Sequence, residues 1–94
     1  MAEPVTVVAE ATPNPNSVKF TVNRQVTSGG SQTFASADEA ILSPLAQRLF
    51  AVDGVRTVFF LKDFVSIGRV TGVDWATIIP SVEAAIRTFY ESQA

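Results

Sequence analysis

Two short segments near the N-terminus alternate apolar and polar residues with the period of a β-strand. In residues 5–11 and 18–22 every second side chain is apolar, and these are Val5, Val7, Ala9, Ala11, Val18, Phe20 and Val22. The segment between them contains Pro13-Asn14-Pro15-Asn16. Its prolines fix two φ angles and keep the preceding residues out of the helical region. We therefore predict a β-hairpin with a stiff turn.

A second hairpin is predicted for residues 55–61 and 64–70, which are rich in Val, Ile and Phe and turn at Lys62-Asp63. A two-residue loop and a four-residue loop give the same pairing parity, with Phe60 opposite Val65. A short strand is also expected at residues 32–35, after the glycine-containing segment 28–31.

Helical periodicity begins at residue 36 and continues to residue 50. Ser36 followed by Glu39 has the spacing of a capping box. The predicted buried stripe consists of Ile41, Leu42, Leu45, Ala46, Leu49 and Phe50. Since Pro44 cannot donate to the carbonyl four residues earlier, we expect the helix to restart there with Ser43 as its N-cap.

A second helix is predicted after Asp74, which has the chemistry of an N-cap. Its apolar residues are spaced by three and four positions and are Trp75, Ile79, Val82, Ile86 and Phe89. Pro80 lies within this segment and predicts a first turn followed by a restart.

The order of these elements predicts a single α+β domain spanning residues 1–94. Strands joined by short turns favour an antiparallel or mixed sheet of four to five strands, and two amphipathic helices suffice to cover one face. The expected architecture is therefore a two-layer sandwich whose second sheet face has no layer above it.

Three large apolar residues are poorly suited to that uncovered face. Phe59, Leu61 and Phe64 point away from the core if Phe60 points into it. Either the rings lie under the Gly29-Gly30 loop or the N-terminal segment, or they form a surface for a protein partner. Asp63 at the hairpin tip either contacts such a partner or holds the turn.

The composition excludes several classes of function. The 94 residues contain no cysteine and no histidine, so we expect no zinc, copper or iron–sulfur site, no cofactor and no enzymatic activity. The formal net charge of −2 and the scattered basic residues give no reason to expect nucleic acid or a membrane surface as partner. No apolar run approaches a spanning helix, and no export signal is present, so a cytoplasmic location is expected.

Several motifs in order resemble the N-terminal domain of the NifU-like (Nfu) iron–sulfur scaffold proteins. They read T-P-N-P-N-S-V-K-F at 12–20, S-P-L-A-Q-R-L-F at 43–50, D-G-V at 53–55, V-F-F at 58–60 and D-F-V at 63–65, followed by Trp75 and Pro80. In full-length members of that family a second domain carries the C-x-x-C pair that holds the cluster. We expect the present sequence to be a stand-alone domain without that pair.

The resemblance implies a non-catalytic protein-interaction module in iron–sulfur cluster assembly or delivery. Its expected partner is a cluster scaffold or a recipient protein, and the sequence gives no indication of oligomeric state. Asn14, Asn16 and Lys19 match the signature turn, and Arg48 lies on the polar side of the S-P-L-A helix. Asn16 alternatively forms an Asx-turn, while Lys19 and Arg48 are alternatively only solvated.

A second hypothesis is a stand-alone domain that binds a small ligand or a peptide. It would use the Pro-Asn-Pro-Asn loop and the open sheet face, because a rigid loop loses little entropy when it binds.

Overall fold

Five antiparallel strands form one sheet in a computed structural model that describes residues 4–27, 30–41 and 43–92. They are β1 (Val7–Ala11), β2 (Ser17–Val22), β3 (Gln32–Phe34), β4 (Val55–Leu61) and β5 (Phe64–Arg69). Their spatial order is β1-β2-β5-β4-β3, so β1 and β3 are the two edges. The predictions that involve Ser28, Gly29 and Leu42 lie outside the described residues.

Both predicted hairpins are present with the predicted parity. In the first, Ala9 pairs with Phe20, and in the second Phe60 pairs with Val65. The second hairpin turns through a two-residue loop, in which Lys62 has a φ of 53°. The alternation of polar and apolar residues therefore identified the correct inner face of both hairpins.

Val55 is an exception to the predicted parity of β4. The strand pairing is irregular between Val55 and Thr57, and the extra residue Arg56 forms a bulge there. Because a bulge shifts the alternation by one position, Val55 points into the core and is 9% exposed. Strict alternation along the strand from Phe60 predicts Val55 on the opposite face, and this prediction is wrong because of the bulge.

The helical layer begins with a short turn and a short helix. A 3-10 turn spans Ala37–Ala40, and helix α1 spans Pro44–Phe50. The predicted restart at Pro44 is confirmed, since the Ser43 side chain accepts a hydrogen bond from the amide of Ala46.

The start of this region differs from the prediction. The Ser36 side chain makes no capping hydrogen bond, and Glu39 Oε1 accepts instead from the amide of Ala35. Ile41 is 69% exposed, so its predicted place in the buried stripe is wrong. A 3-10 turn has about three residues per turn, so the helical spacing does not continue across it into α1.

The last helix, α2, spans Trp75–Glu91 without a break. Asp74 is its N-cap, as predicted, and its carboxylate accepts from the amide of Ala76 at 2.9 Å. The predicted restart at Pro80 is wrong. Pro80 is exposed, and Ile78 and Val82 on either side of it are fully buried, so tertiary packing holds both halves of the helix in line.

The core lies between the helices and one face of the sheet. On the sheet side it contains Val7, Val18, Phe20, Val22, Val58, Phe60, Val65 and Ile67. On the helix side it contains Leu45, Ala46, Leu49, Ile78, Val82 and Ile86. The two-layer α+β fold expected from the sequence is confirmed, and in the described part of the chain both helices lie on the same face.

Replacing Pro80 with Ala should stabilise the protein, because Ala restores an amide donor for the carbonyl of Ala76 and removes the contact of the proline ring with the preceding turn. We expect the free energy of unfolding to rise by about 1–3 kcal/mol, measured by urea denaturation. Pro44→Ala is the matched control, since a proline at the first helical position has no intrahelical bond to restore. Equal effects of the two substitutions would contradict this account of α2.

Candidate functional site

The face of the sheet that points away from the helices, called the open face below, carries two rows of side chains. One row crosses all five strands through Glu10, Lys19, Ser66, Phe59 and Thr33. The second row crosses four strands through Val8, Thr21, Phe64 and Leu61. The two rows are neighbours, so the apolar residues of one lie beside the charged residues of the other.

Phe59, Leu61 and Phe64 form an apolar patch at the hairpin end of the open face. The rings of Phe59 and Phe64 have their centroids 6.1 Å apart and are tilted by 43°. All three side chains are half-buried. The prediction that they share the face opposite Phe60 is confirmed, and their remaining exposure is available for a contact.

Lys19 contributes the positive charge beside this patch. Its Nζ lies 4.6 Å from the centroid of the Phe64 ring, within the range of a cation–π contact. Glu10 is its cross-strand neighbour on β1. The patch is therefore apolar at its centre and bears one charge of each sign along one side.

The other end of the open face is polar. The hydroxyls of Ser17 and Ser66 are 3.1 Å apart and form a hydrogen bond between β2 and β5. Thr57 and Gly68 pair next to them. The apolar surface is thus confined to the half of the sheet near the tip of the second hairpin.

That tip is held by main-chain hydrogen bonds to the last residue of β2 and to the chain that follows it. The carbonyl of Asp63 accepts from the amide of Val22 at 2.8 Å, and the carbonyl of Lys62 accepts from the amide of Val26 at 2.7 Å. Beside the tip lies a groove of about 410 Å³. The groove is lined by residues that include Arg24, Gln25, Leu61 and both turn residues. Asp63 is therefore part of the turn and also part of the groove wall.

The Pro-Asn-Pro-Asn loop lies at the opposite end of β1 and β2, away from the apolar patch. Asn14 Oδ1 accepts from the amide of Asn16 at 2.9 Å, which makes Asn14 the Asx-turn former. The alternative that assigned this turn to Asn16 is therefore not what the structure shows. Asn16 Oδ1 instead accepts from Arg69 Nε at 3.2 Å.

Arg69 and Trp75 fix this loop to the start of α2. The Arg69 guanidinium lies 5.3 Å from the Trp75 ring centroid, and the Trp75 indole nitrogen donates to the carbonyl of Pro15 at 3.0 Å. Arg69 also donates to the carbonyl of Val73 at 2.9 Å. Sequence reasoning missed both partners, because nothing in the local pattern relates them to a loop more than fifty residues earlier.

Arg48 lies apart from the other candidate residues. It is exposed on α1, in the helical layer, and its guanidinium is 5.7 Å from the Phe89 ring centroid. It lines a shallow groove between α1 and α2 together with small side chains such as Ala51 and Ala84. The structure therefore brings Lys19, Phe59, Leu61 and Phe64 together and leaves Arg48 in the other layer.

The Tyr90 phenol has a shifted pKa. Burial raises the pKa of the Tyr90 phenol above its usual value of 10.0, and the positive charge of Arg24 partly opposes this shift. The folded protein therefore holds the phenolic proton more tightly than the unfolded chain does. The protein should lose stability as the pH rises above 10, through the raised pKa.

Side chains able to hold a metal ion do not gather in groups of three or more among the residues that the structure describes. Within the same residues, no helix has both the length and the apolar character needed to cross a membrane.

The sequence matches the family model described as "Scaffold protein Nfu/NifU N terminal" over residues 7–93. It is 37% identical over 86 residues to NifU-like protein 5, mitochondrial, of Arabidopsis thaliana. It is 42% identical over 87 residues to the mitochondrial NFU1 iron-sulfur cluster scaffold homolog of Drosophila ananassae. Each alignment covers 92% of this chain but 31% and 30% of the respective relative, so the chain spans about a third of their length.

Solved structures share the fold. The solution structure of a NifU-like protein from Saccharomyces cerevisiae superposes with a TM-score of 0.80 at 25% identity, over 94% of this chain and 80% of that one. The crystal structure of a protein from Staphylococcus aureus gives a TM-score of 0.75 at 27% identity, over 85% and 96% of the two chains.

Replacing Trp75 with Phe should loosen the Pro-Asn-Pro-Asn loop. The substitution keeps a ring beside Arg69 but removes the indole donor to the carbonyl of Pro15. We expect the free energy of unfolding to fall by about 1 kcal/mol and the amides of Asn16 and Ser17 to exchange faster with solvent. Urea denaturation and hydrogen exchange measured by NMR test this.

Tyr90→Phe is the control, since it removes a polar group from the opposite end of the same helix. In the Tyr90→Phe variant, the amides of Asn16 and Ser17 should exchange with solvent at the wild-type rate. Unchanged exchange at Asn16 and Ser17 in the Trp75→Phe variant would show that the indole does not fix the loop.

Proposed function

This chain belongs to the Nfu/NifU N-terminal family of scaffold proteins, and we propose that it acts as one non-catalytic interaction domain in iron–sulfur cluster assembly or delivery. Its partner in this proposal is a cluster scaffold or a cluster-receiving protein. The family relation supports a place in iron–sulfur cluster assembly. The role as an interaction domain is inferred from the open face.

The observation that carries the proposal is the apolar patch of Phe59, Leu61 and Phe64. All three side chains keep part of their surface exposed on a sheet face that the helices do not cover. Aromatic rings are enriched at the centres of protein interfaces, where they bury much area with few rotatable bonds. An apolar centre bordered by Lys19, Glu10 and Asp63 has the composition of such an interface.

In this proposal the cluster ligands come from outside these 94 residues. Thiolate and imidazole are the usual protein ligands of iron–sulfur clusters, and the 94 residues offer neither. Nor do they offer the cysteine or histidine on which most nucleophilic and acid–base mechanisms near neutral pH depend. In this proposal the chain therefore contributes binding energy and orientation, and the partner contributes the metal chemistry.

Three of the remaining candidate residues have supporting roles, and the fourth, Arg48, has none. Asp63 lies at the border of the patch and can pair with a basic group of the partner. Asn14 and Asn16 keep their loop rigid, since their side-chain oxygens are bonded within the protein. Arg48 lies in the helical layer and has no part in this docking mode.

The alternative function, binding of a small ligand, is favoured by one observation. The groove beside the hairpin tip has a volume of about 410 Å³ and is lined by both apolar and polar groups. In that case the groove, rather than the internally bonded Pro-Asn-Pro-Asn loop, would hold the ligand. The cytoplasmic location stays a prediction, because the named relatives are mitochondrial proteins.

Substitution of the patch tests the proposed function. Phe64→Ser and Lys19→Glu should each weaken binding to a purified iron–sulfur scaffold or recipient protein of the same organism, with Phe64→Ser raising the Kd at least about tenfold. Isothermal titration calorimetry gives the affinities. NMR titration of the labelled chain locates the contact, which we expect at residues 59–64 and Lys19.

Ile41→Ser is the matched control, because Ile41 is an exposed apolar residue outside the open face. Lys19→Glu tests the same surface without shortening an apolar side chain, in case Phe64→Ser unfolds the protein. Undiminished binding by both patch variants would refute the docking mode, as would shifts confined to the groove of Arg48. A saturable small-ligand shift at the tip groove, without any protein partner, would favour the alternative.

A further inference from the structure

The outer edge of β1 has unused main-chain hydrogen-bonding groups. The amide of Asn23 donates to the carbonyl of Thr6, and the amide of Val22 donates to the carbonyl of Asp63. Because bonded and non-bonded pairs alternate in an antiparallel ladder, Thr6, Val8 and Glu10 direct their main-chain groups toward β2. Val7, Ala9 and Ala11 therefore direct theirs outward, where no other described residue bonds them.

This edge is five residues long, and the residues of β1 themselves offer little protection against pairing. Natural edge strands are commonly protected from pairing with another chain by lysines, by prolines or by a covering segment. Here Pro4 and Pro13 limit the usable length on either side, but the strand itself holds one charge, Glu10. Val8 is 54% exposed on the same strand.

We propose that the free edge of β1 pairs antiparallel with β1 of a second copy of this chain, on a twofold axis that passes midway between the two Ala9 residues. In this register Val7 faces Ala11 of the second copy and Ala9 faces Ala9. All the outward main-chain groups of the strand are used. Both prolines stay outside the paired segment, where their missing donors do no harm.

The side chains fit a second copy in the same register. Val8 lies opposite Glu10 of the other copy, so the methylene groups of the glutamate cover the exposed valine and no like charges face each other directly. Each Glu10 keeps Lys19 of its own chain as its cross-strand neighbour on the other side. The small side chains of Ala9 and Ala11 allow the two backbones to approach.

Charge substitutions at Val8 test this register by sedimentation velocity over a concentration series. Val8→Glu places a glutamate opposite Glu10 of the second copy and should raise the dimer Kd about tenfold, since two equivalent pairs are affected. Val8→Lys places a lysine opposite Glu10 of the second copy and should lower the dimer Kd by a similar factor. The double variant Val8→Glu with Glu10→Lys should restore dimerisation.

Val70→Glu and Val70→Lys are the matched controls, because Val70 is a 45% exposed valine outside β1. They carry the same changes in net charge and should leave the dimer Kd unchanged. Since Val8 and Val70 are both exposed, all the variants are expected to fold, and circular dichroism checks this.

Hydrogen exchange provides an independent measure of the register. The amides of Val7, Ala9 and Ala11 should become protected as the protein concentration rises, while those of Val8 and Glu10 should be protected at every concentration. A wild-type protein that stays monomeric up to about 1 mM would overturn the proposal. So would Val8 variants that behave like the Val70 controls. Neither result bears on binding of a scaffold protein by the apolar patch, so the two proposals fail separately.

Discussion

The structure depends on the one-sided covering of a five-stranded sheet. The chain provides one layer of helices, and that layer is long enough to cover one face of the sheet. Phe20, Val58, Val65 and Ile67 lie on this covered face and have no exposed surface. On the opposite face β5 lies between β2 and β4, and Phe64 contacts Lys19 of β2 and Phe59 of β4 but keeps part of its ring exposed. The candidate site is the direct consequence of this asymmetry.

Local patterns predicted the elements well where one physical cause dominated. The period of two along β2 gave the buried face, and Ser43-Pro44 gave the start of α1, because a proline at the first helical position is compatible with helix geometry. The pattern failed where distant packing overrode local preference. Pro80 should interrupt a helix, but the burial of Ile78 and Val82 keeps α2 continuous. The order of the strands in the sheet could not be predicted either. Pairing of β2 with β5 and of β3 with β4 joins distant parts of the chain.

The same limit applies to the candidate site: local patterns predicted part of it, and contacts between distant residues could not be predicted. Parity alone placed Phe59, Leu61 and Phe64 on one face, because side chains alternate along a strand regardless of what covers them. Parity could not predict that Asn16 would bind Arg69, or that the carbonyl of Pro15 would bind Trp75, because both contacts join residues more than fifty positions apart. The polar groups of the Pro-Asn-Pro-Asn loop therefore stabilise the fold. The rigid loop anchors the end of β1 and β2 that lies farthest from the apolar patch.

The free edge of β1 and the apolar patch occupy different parts of the same sheet, and this separation has a geometric consequence. Phe59 and Leu61 lie on β4, which is three strands away from β1 in the sheet order. A twofold axis midway between the two Ala9 residues runs perpendicular to the sheet, so pairing of two β1 strands would leave both open faces on the same side of a continuous sheet. Two patches would then face one direction at a fixed separation. A partner that is itself a dimer could engage both at once, and the second contact would form at a high effective concentration. Self-pairing at the edge would in this way strengthen docking at the face without adding any contact to the individual patch.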